Sequence, residues 1–157
     1  MNTECLRISE QLRHAIEGGA WHGSSLKELL HGITVEQAQA RPIAGGHSIW
    51  ELLLHIGVWE RVTLEAIKGT PIPAPPSSEW DWAAGQGNAE AWQRDVRGLL
   101  EGNRKLCNAV ESFGDERLEE TVPGRKYNFY RVLHGIVQHS VYHTGQIALL
   151  RKAFEKS

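Results

Sequence analysis

Two histidines four residues apart, His139 and His143, stand in the run VQHSVYHTGQIALLRKAF (residues 137–154), where aliphatic side chains would continue an apolar face. Val132, Ile136, His139, His143, Ile147 and Leu150 succeed one another in steps of three or four. At about 100° per residue they share one side of a helix. Imidazoles one turn apart have Cβ atoms about 5–6 Å from each other, close enough to chelate one ion. A lone histidine on an apolar face usually bonds to backbone or water, and chance supplies such pairs in a chain with eight histidines. Two adjacent buried rings are harder to satisfy, because each needs polar partners.

A third histidine bears on the choice. His55 lies between Leu52 and Trp59 in a second apolar stripe, Leu52, His55, Trp59, Val62 and Ala66. If the two helices are neighbours, His55 faces the pair. Three neutral imidazoles form a facial site suited to Zn²⁺, Ni²⁺ or Fe²⁺ with a coordination position left open, where an ion activates water or a thiol or polarises a substrate. Other metal motifs are missing: there is no HExxH and no pair of ExxH motifs of the di-iron kind. Glu51, in ELLLH, supports His55 at most from a distance and reads better as a solvated acid that caps Ser48.

The elements that must position these residues are helical. A first long helix is expected over Thr3 to Glu17, with Cys5, Ile8, Leu12 and Ala15 on one stripe. GGAWHG breaks it, and two short helical pieces follow in SSLKELLHG and TVEQAQARP, the second ended by Arg41-Pro42. Ser48 with Glu51 three residues on starts the second long helix, which runs to Gly69. Residues 69–87 are too rich in Pro, Gly and Ser for a long helix, and a connection of that length lets the second and third long helices run parallel. The third covers about Asn88 to Phe113, with Trp92, Val96, Leu99, Asn103, Leu106, Val110 and Phe113 as its stripe. The fourth begins near Asn128 and continues to about Glu155, with Tyr127 and Val132 placed as a hydrophobic staple. The expected fold class is all-α, a four-helix bundle in one domain over residues 1–157.

Composition narrows the partners. Hydrophobic residues at 41% and charged residues at 23% fit a soluble globular chain. A net charge of −2 offers no basic stripe, so no nucleic-acid partner is expected. No apolar run approaches a membrane span, and the amphipathic N-terminus is unlike a signal peptide, so the expected location is cytoplasmic. Cys5 and Cys107 make no CxxC and read as small buried apolar residues.

QARPIAGG, then SIWELLLHIGVWE, then HSVYHTGQI together resemble the DinB-like (DinB/YfiT) family of four-helix-bundle metalloproteins, over nearly the whole chain. The resemblance implies an up-down-down-up bundle with a long crossover between helices two and three, frequent dimers, and a metal at one end of the bundle. Carried over by position, its ligands are His55, His139 and His143. Where the family pattern often has Trp before the helix-two Ser, this chain has His47, read as an exposed residue preceding the cap. Several family members resemble transferases using a low-molecular-weight thiol such as bacillithiol or mycothiol. The implied function is therefore a metal-dependent thiol transferase, or a hydrolase, acting on a small molecule. The alternatives are a non-catalytic, metal-stabilised dimeric or stress-related binding protein, and a metal-free bundle.

Other residues near the expected site carry two readings each. Asn103 either borders a polar cavity beside the metal or is a packed amide bonded to backbone. Gln146 either lines the open side or is a surface amide. Tyr142 either has a catalytic role or, pointing a quarter-turn or more from the ligands, has none. Trp80 and Trp82 either cap a pocket or anchor the crossover. His14, His22, His31 and His134 have no partner at ligand spacing and read as surface or structural.

Overall fold

The computed structural model describes residues 3–73 and 81–154. Among them the chain is all-α, with α1 (Thr3–Glu17), α2 (Leu26–Leu30), α3 (Val35–Gln39), α4 (Ile49–Ile67), α5 (Ala89–Glu111) and α6 (Phe129–Phe154). A 3-10 turn, Asp115–Arg117, and an isolated bridge between Thr121 and Asn128 complete the regular structure. No helix among the described residues is long and apolar enough to cross a membrane. Glu155, the expected end of the last helix, and Trp80 lie outside the described residues.

Local chemistry sets the helix starts. Ser25, Thr34 and Ser48 each close a full capping box, with Glu28, Gln37 and Glu51 returning the bond to the cap backbone. Such a cap contributes about 1 kcal/mol by satisfying amides that have no partner within the helix. Asn88 and Asn128 accept from the N–H of Ala91 and Arg131, three residues on in each case. Gly69, at φ +98°, follows α4 in the left-handed region that side chains avoid.

Each of the four long helices packs against two others: α1 on α5 and α6, and α4 on α5 and α6. Along α1 and α5, Ser9 Oγ donates to Glu111 Oε1 (2.8 Å) while Arg104 reaches Glu17 (2.6 Å). Along α4 and α5, Trp50 Nε1 donates to Asp95 (2.9 Å) and Asn103 Nδ2 to Glu60 (2.9 Å). Along α4 and α6, the rings of His55 and His143 lie 4.7 Å apart, and those of Trp59 and His139 6.0 Å apart. His134 meets Glu4 at 3.1 Å between α1 and α6.

Two apolar clusters fill the interior. One holds Cys5, Ile8, Leu12, Leu106, Val110, Phe129 and Leu133; the other holds Ile16, Trp50, Leu53, Trp92, Ile147 and Leu150, with Leu26 and Leu30 of α2. On α4, His55 lies between Leu53 of the second cluster and Ala66 of the first. On α6, His139 and His143 lie between Ile136 of the first and Ile147 of the second.

The described ends of the connection from α4 to α5 are each tied to the bundle. Ile72 N–H donates to Pro123 O (3.0 Å) at its start. Near its end Gly85 passes so close that an added Cβ would stand 2.5 Å from the Trp50 Cβ. Only glycine fits there.

Candidate metal centre

α4 contributes His55 and α6 contributes His139 and His143, and one ring nitrogen from each lies within 4.8 Å of the other two. His55 and His143 are buried and His139 is half-buried. Burial of this kind demands that every ring nitrogen find a partner, and the partners define the protonation of two rings.

His55 Nδ1 lies 2.9 Å from the backbone oxygen of Asp81. A carbonyl oxygen only accepts, so Nδ1 carries the proton and Nε2 a free lone pair. His143 Nδ1 lies 2.7 Å from Gln146 Oε1, which fixes the same tautomer on that ring. His139 has no such partner: its Nδ1 is buried with no hydrogen bond, and its Nε2 stands 3.0 Å from His55 Nε2. Either His139 donates from Nε2 to His55 and leaves Nδ1 an unmatched acceptor, or two lone pairs face each other. Both leave Nδ1 a desolvated, unmatched polar atom, costing about 1–3 kcal/mol. The second is repulsive unless a cation lies between.

Burial is the leading cause that lowers the basicity of all three rings. It takes His139 down to about 3, aided by the neighbouring His143 and His55. For His55 the Asp81 carbonyl opposes the shift, and for His143 the Gln146 bond opposes it. Neutral imidazoles are the form that binds a metal. Two nitrogens 2.0–2.1 Å from one tetrahedral ion are about 3.3 Å apart, a separation inside the 3.0 to 4.8 Å range seen here. The donor set, the two locked tautomers and the 3.0 Å approach of the His55 and His139 Nε2 atoms therefore fit a divalent ion.

The family model of the DinB superfamily matches residues 20–147, a span that includes all three histidines. The chain belongs to the DinB superfamily. No curated protein and no solved structure matches it. In this DinB chain His55 does meet the His139–His143 pair, and the three lie close enough together that they could hold a metal ion.

The surrounding residues depart from expectation in several places. Trp82 lies on the site: its ring stacks on His55 at 3.9 Å and, through its other face, on His47 at 3.5 Å, both within 6° of parallel. His47 is exposed, as expected of a residue preceding the cap, yet it forms the outer layer of that stack. Gln146 is half-buried, and its Oε1 accepts from His143 Nδ1–H and so orients that ring. Glu51 caps Ser48 as expected, but it is buried and paired with Arg41 instead of solvated. It does not support His55, whose Nδ1 is taken by the Asp81 backbone.

Asn103 bonds to a carboxylate, not to backbone: its Nδ2 donates to Glu60 Oε1. Glu60 itself, 2% exposed, was not singled out by the sequence pattern. Tyr142 is exposed, with its ring edge-on to His143 at 4.9 Å. Cys5 and Cys107 are buried thiols whose pKa values burial pushes up to about 11, so both are unreactive near neutral pH.

Proposed function

We propose that this DinB-superfamily chain is a single-domain, up-down-down-up four-helix bundle in which His55, His139 and His143 hold one divalent ion, Zn²⁺, Ni²⁺ or Fe²⁺. We further propose that it is a cytoplasmic enzyme that transfers a low-molecular-weight thiol to a small electrophile, or hydrolyses a small substrate. The observation that carries the metal reading is the 3.0 Å approach of the His55 and His139 Nε2 atoms while His55 Nδ1–H is committed to Asp81. The bundle order is supported by the residue pairings: numbering rises together along α4 and α5 (Trp50 with Asp95, Glu60 with Asn103) and runs oppositely along α1 and α5 and along α4 and α6.

A divalent ion held there supplies Lewis acidity, which lowers the pKa of a thiol or water that meets it. The chain's own residues do the rest. Asp81 O and Gln146 Oε1 fix the orientation of two ligands, as partners of metal-binding histidines commonly do. Trp82 covers the face of His55 and keeps water from that side. Trp59 flanks His139 on another.

The test is metal content by mass spectrometry on untagged protein beside His143→Ala, followed by turnover screens with thiols and electrophiles. One equivalent of metal, lost in the variant, with thiol-dependent turnover that chelation abolishes, is expected. Turnover that survives metal removal would sink the enzymatic reading. The stack of Trp82 over His55 favours one alternative, a closed ion that stabilises a non-catalytic dimeric or stress-related binding protein. Exposed Tyr142 and Leu149 on α6 support a homodimer in either case. That alternative gives a large loss of melting temperature on chelation and no turnover.

A further inference from the structure

A cavity reaches the histidine cluster at His139. It is a groove of about 310 Å³ between α4 and α6, walled by Trp59, Tyr127, Val132 and Ile136, and His139 lines it. Its walls are mostly apolar, as ligand pockets are, with a small number of polar groups placed to orient what enters. Gly135 opens the floor: a Cβ built there meets no atom within 4 Å. Arg131 also lines the groove, its guanidinium 5.5 Å from the centre of the Tyr127 ring. Arg131 is exposed and makes no ion pair among the described residues.

The groove thus has a cation and an imidazole of the cluster at different points along α6. Eight residues separate Arg131 from His139, or about 12 Å along a helix. An occupant that satisfies both needs an apolar body of roughly that length with an anionic group at one end. Arginine's planar fork matches a carboxylate bidentately.

We propose that this groove binds the apolar body of a small carboxylate substrate, with Arg131 holding the carboxylate and the far end of the molecule reaching His139. The substrate class is a medium-chain or aryl-terminated carboxylate whose reacting group lies distal to its acid. This rests on the metal-site reading only for the identity of the reacting end; binding in the groove itself requires no ion. Trp59 and Ile136 contact the body, and Arg131 sets polarity and direction.

Octanoate and octanol are suitable probes, titrated by calorimetry and by NMR into chelator-treated protein and into protein loaded with Zn²⁺. Octanoate is expected to bind both forms, with Arg131→Gln weakening it at least fivefold and leaving octanol unchanged. Gly135→Leu, which fills open space, is expected to abolish binding of both probes, with circular dichroism confirming that the variant is folded. Octanoate affinity unmoved by both substitutions would overturn the proposal. So would octanoate binding seen only with Zn²⁺ and indifferent to Arg131, which would put the acid on the metal, and so would no binding of either probe. Metal content measured on the same samples separates these outcomes from a failure of the three-histidine site.

Discussion

Around Glu60 the buried polar atoms are mostly satisfied by one another: Asn103 Nδ2 donates to Glu60, the Cys107 thiol lies 3.6 Å from Asn103 Oδ1, and Ser9 Oγ donates to Glu111 and to the Cys107 carbonyl. Donor meets acceptor at each step, and Glu60 Oε2 is the one atom of the chain from Ser9 to Glu60 left over. Around His139 the arrangement is reversed. Outer nitrogens of His55 and His143 are satisfied by Asp81 and Gln146, and the inner ones point lone pairs at a common region. Both regions interrupt apolar stripes with buried polar groups. One consumes its hydrogen-bonding capacity internally and holds helices in register; the other directs unused capacity inward. Burial of polar side chains therefore does not mark a binding site, whereas convergence of unprotonated acceptors does.

Removing one ligand should break this contrast most. His55→Ala or His143→Ala is expected to drop bound metal from about one equivalent to nearly none by mass spectrometry, while Glu60→Gln leaves it in place. Chelation of the wild type should lower Tm by about 10 °C, given roughly 4 kcal/mol of linkage at a thousandfold excess over Kd and about 2–4 °C per kcal/mol at this size. Metal retained in both histidine variants would be incompatible with the site.

Asn103→Ala attacks the other region. It strips Glu60 of its donor and leaves a small cavity, so thermal or urea unfolding should show a loss of about 3 kcal/mol. Metal content should not change. Gln146→Leu is subtler: it removes the acceptor that orients His143, and competition with a chelator should show metal affinity reduced roughly 10–100-fold without loss of fold.

The most gradual effect is a slope, spread over several pH units. Burial pushes the Glu60 carboxyl up from 4.5 to about 8, against the opposing Asn103 bond. The folded protein then holds a proton that the unfolded chain has released across that interval. Stability falls as pH rises from about 4.5 to about 8, by at most about 1.4 kcal/mol per unit, and levels off above. Urea unfolding across that range should show the slope in wild type and a flatter one in Glu60→Gln. An equal slope in both would assign it elsewhere.

The sequence carried the helix boundaries and the histidine trio because both are written in short-range chemistry. Ser48-x-x-Glu51 is a reciprocal cap whatever surrounds it, and His139 with His143 one turn apart share a face by helix geometry alone. Even the role of Gln146 was present as an i,i+3 spacing, although an amide at that distance has several uses. Glu60 was hidden because an acid in WERV reads as the solvated edge of a stripe; it is buried only because α5 brings Asn103 against it. Asp81 was hidden for another reason. It serves His55 through its backbone oxygen, which no residue type announces, from a connection with no periodicity.

The crossover that begins after Ile67 and ends at Ala89 supplies both the Asp81 carbonyl and the Trp82 ring to His55. Ordering that segment draws on conformational entropy, and each doubling of a connection's length adds only about 0.6 kcal/mol to the closure term. An ion at the proposed site would be joined to loop closure by reciprocity: whatever steadies the connection would tighten the ion, and the ion would in turn steady the connection. Lengthening or trimming this one segment is therefore expected to change metal affinity at the proposed site while leaving every ligand untouched.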